Sequence, residues 1–114
     1  MITSTYWDAN MLNKAKKVVV VTEKILLDKV VALAMAAGAT GYTAVYANGQ
    51  GHRGVRSDAL SGHGEIFSNV KIEFITARDE VAQKIIEGVV AKYFSNYSGI
   101  AYVEEVEVAR PQQF

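Results

Sequence analysis

Between Lys16 and Val108 the chain reads as strand, helix, strand, then strand, helix, strand again, with a long unpatterned stretch between the halves. This order constrains the fold more than any other feature. Lys16 and Lys17 lead into Val18–Val21, a β-branched run suited to a strand buried on both faces. Thr22 has the chemistry of a helix N-cap, and Glu23 suits a first turn, where the helix dipole favours negative charge. Ile25, Leu26, Val30, Leu33 and Ala37 follow at helical spacing, with Lys24 and Asp28 turned away. Gly38 is placed to end that helix in the left-handed conformation. Gly41 to Ala47 alternates as a second strand, with Tyr42, Ala44 and Tyr46 on one face. Alternation returns at Val70, Ile72 and Phe74, with Lys71 and Glu73 on the opposite face. Thr76 followed by Asp79 has the pattern of a capping box ahead of a second helix, whose apolar stripe is Val81, Ile85 and Val89 with Ile86 and Val90. Tyr93 to Gly99 is an aromatic and polar turn, and Ile100 to Val108 is the fourth strand.

With right-handed crossovers this order predicts an α+β, ferredoxin-like βαββαβ domain, a four-stranded antiparallel sheet carrying both helices on one face. The domain is expected over residues 16–109, with 1–15 as an N-terminal extension that is frayed or packs on a neighbour and 110–114 as a tail. Tyr42, Tyr46, Val70, Ile72, Phe74, Tyr102 and Val106 supply apolar surface for both sheet faces, and a bare apolar face marks an interface. A homo-oligomer of closed symmetry is therefore expected.

Charge and composition remove several function classes. Lys+Arg 12 against Asp+Glu 12 gives a formal net charge of +0, which argues against a nucleic-acid binder relying on a basic field. The absence of an aromatic RNP pattern likewise argues against an RNA-binding domain of this fold. With no cysteine there is no disulfide, thiolate zinc site or cysteine nucleophile. No apolar run approaches the roughly 20 residues of a membrane helix, and Met1–Asn13 lacks a secretory pattern, so a cytoplasmic chain is expected.

The stretch from Asn48 to Glu65 carries the chemistry. A structureless segment of this length in a compact domain is usually functional or disordered. Within it, Gly49-Gln50-Gly51-His52-Arg53-Gly54-Val55-Arg56-Ser57 offers glycines that let backbone amides approach an anion and two arginines with forks for phosphate. A solvated loop with incidental charges is the plainer alternative. Two arginine contacts would contribute roughly 3–6 kcal/mol. Ordering each residue costs about 1–2 kcal/mol, so phosphate could order only about three to five residues around Arg53–Arg56. Asp58 to Gly64 would await a larger partner. His52 and His63 are far apart for a metal pair; Asp58, Glu65, Ser57 and Ser61 have no fixed partner; and neither GxGxxG nor GxxxxGK[ST] occurs in the required setting. Tyr93, Phe94 and Tyr97 suit core or interface positions, and an aromatic there could also lie beside a base.

Lys17–Leu27 (KVVVVTEKILL), Gly41-Tyr42-Thr43, Gly51–Ser57 (GHRGVRS) and Lys92–Tyr102 (KYFSNYSGIAY) resemble the PII-like signalling proteins. The likeness is strongest to their carbon-sensing SbtB type, found beside a sodium-dependent bicarbonate transporter in cyanobacteria, and it runs in register from Lys16 to Val108. The resemblance implies a PII-like homotrimer with sheets facing inward and adenine nucleotides (cAMP, AMP, ADP or ATP) in the clefts between subunits, ATP with a divalent cation (Mg or Ca). It implies phosphate contacts from Arg53, Gly54, Arg56 and Ser57, and adenine against Phe94 and the backbone of Gly99 and Ile100. Gly41, Tyr42 and Thr43 are implied to line the same cleft at the base of the T-loop. That loop, about 48–66, is implied to dock on a membrane transporter of the SbtA type through Gly51, His52, Val55, Asp58, Leu60 and His63, giving peripheral membrane association. No catalytic residue, metal ligand or nucleic-acid partner is implied.

The chain departs from some relatives in ending Pro111-Gln112-Gln113-Phe114 without a cysteine pair, which puts redox control in doubt. The lysine-rich signature of a nitrogen-sensing protein is also missing, which counts against glutamine or 2-oxoglutarate signalling. The N-terminus with Trp7 has no counterpart. Two other readings stand beside this one: slow hydrolysis of ATP or ADP in the same cleft, and a trimeric metal-tolerance protein of similar fold using His52 and His63.

Overall fold

The computed structural model describes residues 11–49 and 67–109. Strand β1 spans Leu12–Glu23, a 3₁₀ turn Lys24–Leu26, helix α1 Leu27–Ala37, strand β2 Thr43–Ala47, strand β3 Asn69–Thr76, helix α2 Asp79–Tyr93 and strand β4 Gly99–Ala109. The four strands form one antiparallel sheet in the order β2-β3-β1-β4. This is the expected βαββαβ arrangement, with β1 and β3 central and β2 and β4 at the edges.

Register assigns the faces. Val18 pairs with Phe74 and Val20 with Ile72, and these four join Val70 in the buried core with Leu26, Val30 and Ala34 of the first helical segment and Val81, Ile85 and Val89 of α2. Both helices therefore cover this one face. The other parity places Lys17, Val19, Val21, Lys71, Glu73, Ile75, Ile100, Tyr102 and Glu104 on the uncovered face. That face is not the plainly apolar surface expected, because Val70, Ile72 and Phe74 are consumed by the helix side. Instead, Lys71 and Lys17 flank Glu73 (3.7 and 3.9 Å), and Lys17 reaches Glu104 at 3.3 Å. Exposed Val45, Ile100 and Tyr102 lie among these charges.

The first strand is longer than the valine run, because β4 pairs with it from Leu12 opposite Ala109 to Thr22 opposite Gly99. Both expected N-caps take other partners. No side chain caps the 3₁₀ turn after Glu23, since Thr22 and Glu23 are engaged with Ser98. At α2 the cap position is Arg78, and Thr76 Oγ1 accepts the Arg78 N–H at 3.1 Å, a local turn in place of a capping box. Because the chain leaves β1 through a 3₁₀ turn, Ile25 is rotated off the α-helical stripe and is 73% exposed. Val90 is also largely exposed, whereas Val81, Ile85 and Val89 are buried as their spacing predicts. Gly38 ends α1 with φ 120°, Ala39 N–H donating to Ala34 and Gly38 N–H to Met35, the positive-φ stop expected of it. Among the described residues no helix is long and apolar enough to cross a membrane.

Candidate functional site

At the end of the sheet where β1 stops and β4 starts, the turn after α2 is fixed by side chains. Thr22 Oγ1 donates to the Ser98 carbonyl at 2.6 Å, and the Ser98 N–H donates to Glu23 Oε2 at 2.8 Å. Thr22 and Ser98 are both buried. Phe94, half-buried against the core, lays its ring on Gly99. A Cβ on Gly99 would stand 2.5 Å from Phe94 Cε1 and 3.0 Å from Thr22 Oγ1, so only glycine fits beneath that ring. Ile100, next along β4, projects from the uncovered face and is exposed. The structure thus brings Phe94, Gly99 and Ile100 together, as their sequence proximity suggested. Sequence reasoning missed Thr22, Glu23 and Ser98 here because it read Thr22 as a helix N-cap and Glu23 as a first-turn charge.

The same end of the sheet holds both stems of the long loop. The Lys24 N–H donates to the Ser68 carbonyl at 2.8 Å, and Lys24 Nζ lies 5.4 Å from the centre of the Tyr46 ring. Asn69 Nδ2 reaches the Gly49 carbonyl at 3.4 Å, while its Oδ1 is buried and unpaired among the described residues. The loop residues Gly51, His52, Arg53, Gly54, Val55, Arg56, Ser57, Asp58, Leu60 and His63 lie outside the described residues, as do the first ten and last five residues of the chain.

Gly41, Tyr42 and Thr43 are elsewhere. They precede and open β2, whereas the long loop leaves after Ala47 at the strand's other end, so they do not form the base of that loop. They line a cleft of about 250 Å³ with Thr40, Glu73, Ile75 and Val108, opening beside the uncovered face. Register explains the company: Thr43 pairs with Glu73, and both share the parity of Ile75. Tyr42 sets its ring against Phe74 (centroids 6.5 Å apart, planes at 49°), which anchors this edge to the core. A Cβ on Gly41 would meet nothing within 4 Å among the described residues, so packing against them does not require glycine there. Glu73 and Ile75 are lining residues that the sequence reading did not select; their signal was present only in the pairing of strands distant in sequence.

Two lysines of β1, one on each face of the sheet, have their ammonium forms favoured by carboxylates of β4. Lys17 is raised above its ordinary value, first by its hydrogen bond to Glu104 and then by the field of Glu73. Farther along β1, Lys16 is raised by its 2.8 Å hydrogen bond to Glu105, whose own carboxyl is lowered by the same bond. No group of three or more metal-ligating side chains occurs among the described residues.

The two clusters sit on opposite edges. Gly99 and Ile100 are on β4, Thr43 is on β2, and β3 and β1 lie between. Three strand spacings of about 4.8 Å and three residues of offset along β1 put them roughly 17 Å apart.

A family description for nitrogen regulatory protein P-II matches residues 15–113. Among solved structures, a PII-like signalling protein from Thermus thermophilus is 38% identical, with a TM-score of 0.68 over 86% of this chain and 92% of that one. CPII from Thiomonas intermedia, bound to ADP and bicarbonate, is 27% identical, with a TM-score of 0.72 over 88% of this chain and 93% of that one. The same protein with ADP, AMP and bicarbonate matches at 26% identity and a TM-score of 0.71, over 88% and 92% of the two chains.

Proposed function

The chain belongs to the nitrogen regulatory protein P-II family as a PII-like signalling protein, and from that premise we propose that it binds adenine nucleotides in clefts between the subunits of a homotrimer. The observation that supports this reading is that two groups of candidate residues, Gly41–Thr43 and Gly99–Ile100, lie at β2 and β4, opposite edges of one sheet. At about 250 Å³ the Gly41–Thr43 cleft falls below the roughly 300–1,000 Å³ of a typical ligand pocket. The Gly99–Ile100 edge of a neighbouring subunit, set against it, would enlarge and close it. The uncovered face, with its charge ladder and exposed Val45, Ile100 and Tyr102, is then the surface on which subunits meet.

In this reading the base rests between the Gly41–Thr43 edge and the Phe94–Gly99–Ile100 turn, and Arg53, Gly54, Arg56 and Ser57 meet the phosphates. AMP and ADP are the first ligands to expect, since CPII binds both. Cyclic AMP and ATP, the latter with Mg or Ca, extend the series, and bicarbonate, which CPII also binds, is a candidate co-ligand. The loop at about 48–66, through Gly51, His52, Val55, Asp58, Leu60 and His63, would dock on a sodium-dependent bicarbonate transporter of the SbtA type. The protein would then be a cytoplasmic, SbtB-type regulator of inorganic carbon uptake, peripherally held at the membrane and acting by binding without catalysis. Calorimetry of the purified protein with cAMP, AMP, ADP and ATP tests the core of this reading; saturable binding is expected, and no heat at millimolar ligand sinks it. Co-purification with the transporter, with and without each nucleotide, tests the partner.

A further inference from the structure

Three features stand out beyond the candidate ligand contacts: the polar cleft between the start of α2 and the outer end of the β1–β4 pair, the Oδ1 of Asn69, unpaired among the described residues, and the double hydrogen bond onto Ser98. The last has both a defined geometry and a defined consequence. We infer that Thr22 and Glu23 are positioning residues for ligand binding, clamping the backbone of Ser98 so that the Gly99–Ile100 edge is in its binding shape before any ligand arrives. The inference rests on the nucleotide-binding reading above and assigns to it two residues that touch no ligand.

A turn residue exposed to water would satisfy its N–H and C=O with solvent. Ser98 instead has both taken by two successive side chains at the end of β1, one donating and one accepting. Thr22 is fully buried and Ser98 nearly so, so the Thr22 bond is made where no water competes, and the bond to the half-buried Glu23 is partly shielded. Thr22 Oγ1 and the tip of the Phe94 ring both lie within 3.0 Å of the position a Gly99 Cβ would occupy, so the clamp and the ring meet at this glycine. A surface fixed in advance spares the ligand the ordering cost of a loose turn. This gives the Thr-Glu pair a reason to stand at the end of the strand although it caps no helix.

The experiment compares Thr22→Val, Glu23→Ala and Glu23→Gln with the wild-type protein, reading AMP and ADP affinity by calorimetry and exchange of the Ser98 amide by NMR. Glu23→Ala is expected to speed Ser98 exchange and to weaken AMP and ADP alike, each by roughly tenfold, because the turn meets the base and not the phosphates. Thr22→Val, of nearly the same shape, is expected to weaken both nucleotides similarly. Glu23→Gln keeps an acceptor oxygen and should restore most of the affinity. Faster Ser98 exchange with unchanged affinity would overturn the inference while leaving the proposed function standing, and so would Ser98 exchange untouched by Glu23→Ala. A wild-type protein that binds neither nucleotide would overturn the proposed function, and this inference with it. If Glu23→Ala lowers thermal stability, equal loss for AMP and ADP with recovery in Glu23→Gln still separates positioning from general damage.

Discussion

The two edges of the sheet carry glycines of opposite kinds. Gly99 is demanded from within, since Phe94 and Thr22 leave no room for even a methyl group, and its turn is held at both backbone atoms of Ser98. A Cβ on Gly41 would meet open space among the described residues. One edge is fixed by its own side chains; the other is open, and none of the described residues accounts for its glycine. A ligand or a neighbouring subunit that approaches closely would use that space. The contrast agrees with the proposed site completed by assembly, in which one edge is set in advance and the other receives it.

The largest effect expected from breaking this contrast comes from its shared foundation. Phe74 is fully buried and lies against Tyr42, so Phe74→Ala should destabilise the fold by about 3–5 kcal/mol in urea unfolding and loosen the Gly41 edge as well. Gly99→Ala comes next. The new methyl group must push the Phe94 ring or the Thr22 hydroxyl aside, and a cost of about 1–3 kcal/mol is expected by the same measurement. Combining it with Phe94→Leu should cost less than the sum of the two, because the smaller side chain relieves the overlap. Gly41→Ala should sharpen the comparison from the other side. Its stability should stay within about 0.5 kcal/mol of wild type, as for surface changes generally, while ADP affinity in calorimetry falls. A Gly41→Ala protein that binds ADP normally would show that nothing approaches this glycine closely.

The smallest effects concern the charges that run between the edges. Lys17 has its pKa raised in the folded state, so its contribution is complete below the ordinary lysine value of 10.5 and is lost as pH rises through the higher folded value. Glu105 is shifted the opposite way: its contribution is present above the ordinary value of 4.5 and is lost as pH falls through the lower folded value. Thermal unfolding across pH should therefore show no loss from either group between these limits, and Glu104→Gln should shrink the alkaline decline, because Lys17 then has less stabilisation to lose above 10.5. Because these pairs are partly or largely exposed, added salt should blunt both limbs.

Local pattern was enough for the order of the elements. Val18 and Val20, the Val70–Phe74 alternation and the Val81–Ile85–Val89 stripe each report their own environment through spacing, and the structure buries all of them. Gly38 marked the end of α1 because a positive φ is a property of one residue. The motifs of the loop and of Lys92–Tyr102, read as a family resemblance, led to the P-II family to which the chain belongs. Two misreadings share one cause. Local pattern makes Thr22 a helix cap and Glu23 a first-turn charge, whereas both take partners about 75 residues away. Thr76 differs, since its partner Arg78 is only two residues on.

What the sequence by itself determined is therefore the chemistry of each segment: which face of a strand or helix is apolar, where a turn must fall, and which family's motifs are present. Only the tertiary structure decided which segments share an edge. Strand pairing placed Glu73 beside Thr43, moved Gly41–Thr43 away from the loop stems and set Gly99 across the sheet from them. The physical reason is that a hydrophobic pattern records burial but not the identity of the partner, and hydrogen bonds between distant strands leave no local signature in either one.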